Sequence, residues 1–132
     1  MTSFIRHVTF DCASPIEPYD LAVFWSQALG QPVHPDDSPG ADEVGLQVPP
    51  GQPTMLFIRV PEAKTLKNRV HLDLVPEPGL TRDQEVDRFL GLGAKIFDDQ
   101  RKPDGRGWVV FTDPAGNEFC VERSVAEREA TA

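Results

Sequence analysis

The stretch GWVVFTDPAGNEFCVER, residues 107–123, decides the fold of this chain. Its two arms are short runs rich in β-branched and aromatic residues, which is typical of β-strands. Between the arms, Asp-Pro-Ala-Gly-Asn places proline where a tight turn accepts it, and glycine and asparagine where the turn needs a positive φ. The stretch therefore predicts a β-hairpin with strands at residues 107–112 and 118–123.

A strand, a helix and three further strands account for the first half of the chain. Residues 5–12 alternate, with His7, Thr9 and Asp11 on one face and apolar side chains on the other. The next apolar residues recur at intervals of three and four, as on one face of a helix: Leu21, Phe24, Trp25, Ala28 and Leu29. Turn-forming residues then separate three short predicted strands, at residues 31–34, 43–48 and 54–60.

The second half of the chain repeats this order. Residues 68–75 alternate and predict a strand with His71 and Asp73 on its polar face. Thr81, followed three residues later by Gln84, matches the capping-box pattern that begins a helix. Three more strands are predicted at residues 94–98, 107–112 and 118–123.

Two tandem βαβββ modules explain the repetition better than an unrelated series of elements. We predict an α+β fold in which each curved mixed sheet packs its apolar face on its helix and turns its polar face toward a cleft. A single domain would span residues 1–127, with module one at residues 3–62 and module two at residues 66–124. The tail, residues 125–132, lacks apolar periodicity and is predicted to be frayed.

Charge and composition exclude several classes of function. The 132 residues carry a net charge of −8, which repels nucleic-acid backbones. No apolar run approaches the ~18 residues that span a bilayer, and the N-terminal residues lack the pattern of a secretory signal. We therefore expect a cytoplasmic protein whose partner is a small molecule, with no nucleic-acid or membrane partner. Its two cysteines are expected to stay reduced.

Basic residues nevertheless gather at two places in the sequence: Lys64, Lys67 and Arg69, and then Arg101, Lys102 and Arg106. Such groups steer a small anion in some proteins and are ordinary solvated loop charges in many others. The sequence leaves both interpretations open.

Three stretches resemble the vicinal oxygen chelate superfamily, which includes glyoxalase I, bleomycin-resistance proteins and extradiol dioxygenases. They are HVTFDC with the downstream LAVFWSQALG, then RVPEAKTLKNRVHLDLVPE, and the hairpin GWVVFTDPAGNEFCVER. Within the superfamily, the resemblance is closest to bacterial glyoxalase-like domain proteins, and it covers most of residues 6–123. It implies the glyoxalase-like fold and a small-molecule site in the cleft between the two sheets.

A metal site is the second implication of the resemblance, because the family takes one ligand from each of four strands. Carried over by position, the ligands are His7 (or Thr9 after a shift of one pleat), His71 and Cys120, while the last strand of module one offers no carboxylate. Glu122 would come within reach after a similar shift. Two imidazoles and a thiolate favour zinc over harder cations. By position, the set is therefore incomplete.

Other polar residues are candidates for catalysis and binding. His71 and Asp73 are the candidate proton-transfer pair, or alternatively a polar pair that only lines a wet cleft. Arg59 is equally consistent with a guanidinium clamp for an anionic group and with a structural salt bridge. The candidate substrate-binding residues are Asp11, Thr9, Arg59 and Trp108.

Two functions remain open from the sequence. The chain is either a lyase, isomerase or oxygenase acting on a small oxygenated metabolite, or a metal-free, resistance-type protein that sequesters a ligand without catalysis. For the enzyme, the resemblance implies that a cation or a hydrogen-bond donor stabilises an enediolate-like oxygen, while His71 or Asp73 moves the proton. The resemblance also implies a homodimer.

Overall fold

The computed structural model describes residues 1–131, which fold into two compact units. The first unit is Met1–Thr65, and the second begins at Leu66. Each unit contains one small mixed sheet and a helix that contacts it. The α+β class and the tandem modules predicted from the sequence are confirmed. The cleft between the two sheets stays a prediction.

The first unit consists of three strands and one helix. Strand β1 is His7–Cys12, helix α1 is Pro18–Leu29, strand β2 is Glu43–Gly45 and strand β3 is Thr54–Arg59. The sheet order is β1-β3-β2, with β1 parallel and β2 antiparallel to β3. This order places β3 at the centre of the sheet, where its side chains meet those of both neighbours.

The strand predicted at residues 31–34 is reduced to one isolated bridge between Val33 and Leu46. Prolines stand at positions 32 and 35, and a proline has no N–H to donate to a sheet ladder. Strand β2 ends at Gly45 and not at residue 48 as predicted, and Leu46 takes part only in this isolated bridge.

Aromatic packing holds the helix of the first unit against its sheet. Trp25 of α1 and Phe57 of β3 are fully buried. Their rings stack on the ring of Phe10 from β1, with centroids 5.9 and 5.7 Å away. Gly30 ends α1 in the left-handed conformation at φ +65°, as the Gly-Gln-Pro sequence predicts.

The second unit has four strands and two helices. Their bounds are β4 Asp73–Leu74, α2 Arg82–Gly91, β5 Lys95–Asp99, β6 Val109–Thr112, β7 Glu118–Val121 and α3 Val125–Ala130. The sheet order is β4-β7-β6-β5, with β4 parallel to β7 and the other neighbours antiparallel. The hairpin that decides the fold therefore forms the middle of this sheet.

One face of this sheet packs on α2 through three buried rings. Phe89 of α2, Phe111 of β6 and Phe119 of β7 have centroids between 5.1 and 5.8 Å apart. The capping box predicted at Thr81 and Gln84 is present and begins α2. Because the buried rings occupy this face, the alternate residues of β6 and β7 project from the other face.

The strand predicted at residues 68–75 is much shorter than expected, since β4 contains only two residues. Side chains, not a strand ladder, hold the preceding segment. The Asn68 N–H donates to the Glu118 carboxylate at 3.0 Å, and the Asn68 amide donates to Asn117 at 3.3 Å. Cys120 still donates its N–H to the Leu72 carbonyl at 2.9 Å, so the segment approaches β7 just before β4 begins.

The tail predicted to be frayed instead contains helix α3. Ser124 and Glu127 form a capping box at its start, and the Glu127 carboxylate also accepts the Arg82 N–H at 2.6 Å. These bonds tie α3 to the first turn of α2. The last residue of the predicted tail, position 132, lies outside the described residues.

Between residues 1 and 131, no helix is both long enough and apolar enough to cross a bilayer.

Candidate functional site

Strands β4 and β7 bring three polar side chains together in the second unit. The parallel register pairs Asp73 with Cys120. His71 lies two residues before Asp73, and its ring approaches the Asp73 carboxylate. His71, Asp73 and Cys120 thus form a cluster whose candidate ligand atoms all lie within 4.8 Å of one another.

His71 Nδ1 lies close to the other two side chains of this cluster. His71 Nδ1 lies 2.8 Å from Asp73 Oδ1, and Cys120 Sγ lies 4.0 Å from the same nitrogen. The side chains of His71 and Asp73 are 39% and 46% exposed, whereas Cys120 is buried. With a proton on Nδ1 shared with Asp73, the remaining basic nitrogen of the imidazole is Nε2. The arrangement is a carboxylate-oriented histidine open to solvent.

Cys120 is a protonated thiol in these surroundings. Burial raises the pKa of Cys120 to about 11, and the charge of Asp73 and a hydrogen bond to it act in the same direction. A thiol must lose its proton to act as a nucleophile. Cys120 therefore does not supply a nucleophile at neutral pH on its own.

The donor set of the cluster suits zinc better than the harder cations, because it combines nitrogen, oxygen and sulfur. Bonds of about 2.0–2.3 Å in a tetrahedral site would place the donor atoms about 3.3–3.8 Å apart. Cys120 would have to move slightly inward to reach that spacing. The ion would also take the place of the proton between His71 and Asp73, so the two arrangements exclude each other.

The other predicted ligands and binding residues lie elsewhere. His7, Thr9 and Asp11 occupy the exposed face of β1 in the first unit. Their participation with His71 in one site stays a prediction. Glu122, the alternative ligand, lies just after β7 and pairs with Arg128 at 3.1 Å. It is not a member of the cluster formed by His71, Asp73 and Cys120.

Arg59 lies at the end of β3 beside a cavity of about 340 Å³, but its guanidinium is already engaged. It binds the carboxylate of Glu17, and its Nε donates to Asp42 at 2.8 Å. The hydrogen bond to Glu17, with that to Asp42, raises the pKa of Arg59. These contacts match the salt-bridge interpretation of Arg59.

Trp108 lines a separate recess of about 220 Å³ in the second unit. Its other lining residues are Lys102, Arg106, Gly107, Glu122, Arg123 and Arg128. The sequence predicted a cationic group at residues 101–106. It did not reveal that Arg123, which follows β7, and Arg128, which lies in α3, join this group.

Residues 7–122 match the family described as the glyoxalase-like domain. This chain belongs to the glyoxalase-like domain family. The match includes both units and the hairpin, so the family resemblance inferred from the three sequence stretches is confirmed. A search of curated protein sequences finds no significant match.

Solved structures show the same fold at low sequence identity. The fosfomycin resistance protein FosX from Listeria monocytogenes, complexed with Mn(II) and 1S,2S-dihydroxypropylphosphonic acid, is 12% identical, with 98% of this chain and 99% of that chain covered and a TM-score of 0.67. A lactoylglutathione lyase from Agrobacterium tumefaciens is 19% identical, with 92% and 93% covered and a TM-score of 0.59. A glyoxalase/bleomycin resistance protein/dioxygenase family enzyme from Burkholderia phytofirmans is 17% identical, with 91% and 97% covered and the same score.

Proposed function

We propose that this glyoxalase-like protein binds a small oxygenated metabolite and transfers a proton on it, as a lyase or isomerase. His71 is the acid–base group and Asp73 orients it. One observation carries this proposal: the 2.8 Å contact between His71 Nδ1 and Asp73 Oδ1 in a site open to solvent. A histidine held in one tautomer by a carboxylate is a competent general base.

The proton transfer itself balances without further components. His71 Nε2 removes a proton from a carbon next to a carbonyl, and the bonding electrons move to the carbonyl oxygen to give an enediolate-like anion. Asp73 stabilises the imidazolium that forms, because it accepts the Nδ1–H. Return of the proton to the former carbonyl carbon, with transfer of the hydroxyl proton to the other oxygen, gives an isomer. Alternatively, the electrons of the anion re-form the carbonyl and make a carbon–carbon double bond to the next carbon, which expels its leaving group as an anion and gives a lyase product.

A zinc ion bound to this cluster is the second candidate, favoured by the three donor atoms within 4.8 Å. His71, Asp73 and Cys120 would hold it, and the ion would supply charge to stabilise a substrate oxygen. Binding would release the thiol proton of Cys120, because zinc binds the thiolate. Cobalt(II) substitution gives a readout separate from activity, namely thiolate-to-cobalt absorption that is lost in Cys120→Ser.

The names of the structural relatives support both a catalytic and a resistance-type function, since one is a lyase and another a fosfomycin resistance protein. The alternative proposal for this chain is therefore metal-free ligand sequestration without turnover. In this alternative the protein still binds a small molecule but does not transfer a proton. We further propose a cytoplasmic homodimer, supported by the family resemblance and by exposed apolar side chains such as Phe97.

Deuterium incorporation from D₂O, followed by proton NMR, tests the proton transfer. Small α-hydroxy ketones and α-hydroxy aldehydes serve as the probes, in a buffer that contains a metal chelator. The wild-type protein is expected to accelerate exchange of at least one probe, by about 10²–10⁴-fold if His71 is a well-placed general base. His71→Gln should reduce exchange to the buffer rate, and Asp73→Asn should lower it less.

His34→Gln is the matched control, because His34 is also exposed and lies outside the cluster. It is expected to keep the wild-type rate. Exchange at the buffer rate for every probe, combined with ligand-induced thermal stabilisation, would replace the enzyme proposal with sequestration.

A further inference from the structure

We infer that the recess around Trp108 is a binding site for the phosphate group of a small organic anion. Four cationic side chains line it in a chain whose net charge is −8: Lys102, Arg106, Arg123 and Arg128. Among residues 1–131, Glu122 is the only carboxylate-bearing residue in the lining. A cluster of this kind attracts a phosphate by charge and by directed N–H donors. This inference does not depend on proton transfer by His71.

The loop at residues 105–107 forms one wall of the recess, and Arg82 binds the backbone of this loop. The Arg82 side chain is buried, and its Nη1 donates to the carbonyl oxygens of Gly105, Arg106 and Gly107 at 2.9–3.1 Å. Gly107 adopts φ +94°, and a Cβ there would lie 1.9 Å from the Gln100 carbonyl oxygen. Glycine at position 107 thus permits the close approach to Gln100, and the hydrogen bonds from Arg82 hold the backbone of residues 105–107 before a ligand arrives.

Contacts within the protein position three guanidinium groups of the recess. Each group keeps N–H donors that these contacts do not use. Arg106 binds Asp104 at 2.8 Å and the Thr131 carbonyl at 2.6 Å, and Arg128 binds Glu122 at 3.1 Å. Arg123 donates to the Thr131 hydroxyl. Each guanidinium has five N–H donors, so these contacts do not use all of them.

Lys102 differs from these arginines in its contacts. Within residues 1–131, no hydrogen bond or ion pair engages its ammonium group. A bound anion would therefore gain a strong partner at Lys102 without breaking an existing contact.

The size of the recess and Trp108 define the remainder of the ligand. Its volume of about 220 Å³ is below the ~300 Å³ typical of sites for complete drug-sized molecules. It therefore accommodates an anionic group and one adjoining ring or short chain. The Trp108 side chain is 43% exposed and offers a flat apolar surface to that part. Several cations at one place favour a doubly charged phosphate over a singly charged carboxylate.

The recess also has a defined position on the sheet. The register pairs Val109 with Val121, which places Trp108 and Glu122 opposite each other just beyond the hairpin strands. Glu122 lies two residues after Cys120, a separation of about 7 Å on the same face of β7. A phosphorylated ligand seated in the recess would thus extend toward the cluster of His71, Asp73 and Cys120.

Tryptophan fluorescence of the full chain provides a direct test. Trp25 is fully buried, so quenching by an added ligand reports on Trp108. Phenyl phosphate, benzoate, inorganic phosphate and uncharged benzyl alcohol are the four probes. We expect saturable quenching by phenyl phosphate, weaker binding of benzoate and of inorganic phosphate, and none by benzyl alcohol. The quenching should disappear in Trp108→Phe.

Charge variants complete the test. The double variant Lys102→Gln with Arg128→Gln is expected to weaken phenyl phosphate binding by about ten-fold or more, equivalent to ~1.4 kcal/mol. Lys95→Gln removes one charge from the exposed strand β5 and should leave binding unchanged. The assay measures binding without turnover, so its outcome is separate from that of the proposed enzyme activity.

Three results would overturn the inference. They are equal affinity of the double variant and Lys95→Gln, binding of benzyl alcohol as tight as that of phenyl phosphate, and tighter binding of benzoate than of phenyl phosphate.

Discussion

Replacing Arg82 by methionine should destabilise the second unit more than any comparable change of a surface arginine. Arg82 is only 4% exposed, although it carries a charge. Its Nη1 donates to three consecutive carbonyl groups, and its Nε donates to Asp83 at 3.0 Å. Methionine keeps most of the side-chain volume but removes every one of these donors.

The expected magnitude follows from those contacts. Hydrogen bonds from a charged donor contribute about 1.5–3 kcal/mol each. The three carbonyls share one nitrogen, and water can reach the exposed residue Arg106, so the contributions do not add in full. Asp83 keeps Arg101 as a partner at 3.3 Å. We therefore expect a loss of about 3 kcal/mol, at the lower end of the ~3–5 kcal/mol for breaking a buried charged contact.

Thermal unfolding followed by circular dichroism measures this effect. For a domain of this size, about 3 kcal/mol corresponds to a fall in Tm of roughly 9–15 °C. Arg101→Met is the matched control, because the ion pairs of Arg101 with Asp99 and Asp83 are partly exposed to solvent. Such pairs contribute about 0–1 kcal/mol. A Tm for Arg82→Met equal to that of Arg101→Met would refute the proposed support of the loop.

Two further predictions concern the same unit. Gly107→Ala should lower the urea midpoint much more than Gly51→Ala, because both glycines have a positive φ but only Gly107 would place a Cβ against backbone; equal midpoints would contradict this. Low pH should weaken the attachment of α3 to α2, because this attachment uses the Glu127 carboxylate. Burial acts to raise the pKa of Glu127, but hydrogen bonds from the N–H groups of Arg82 and Ser124 outweigh this effect and lower the pKa. This stabilisation is present above the ordinary pKa of about 4.5 and is lost as the pH falls through the lowered folded value. As the pH falls, the protection of the α3 amides against hydrogen exchange should decrease in the wild-type protein and change less in Glu127→Gln. An equal decrease in the two proteins would contradict this role of Glu127.

Local patterns in the sequence predicted most of the fold. The hairpin, the helical stripe ending at Gly30 and the capping box at Thr81 each depend on neighbouring residues, and each is present. The pairing of His71 with Asp73 was predicted for the same reason, since the two residues are separated by one strand period.

Contacts between distant segments could not be predicted in this way. Residues 68–75 alternate like a long strand, but Asn68 is held by side chains about fifty positions later, and only two residues of the segment enter the sheet. Arg82 looks like an ordinary charge in the first turn of a helix. Its burial follows from carbonyl groups 23–25 residues away, which have no signature in the sequence.

The rate of solvent proton exchange in the presence of a chelator tests the central proposal most directly. If the pair of His71 and Asp73 transfers protons, the wild-type protein and His34→Gln will accelerate exchange equally, and His71→Gln will not accelerate it. Exchange by His71→Gln at the wild-type rate would contradict the assignment of His71 as the acid–base group.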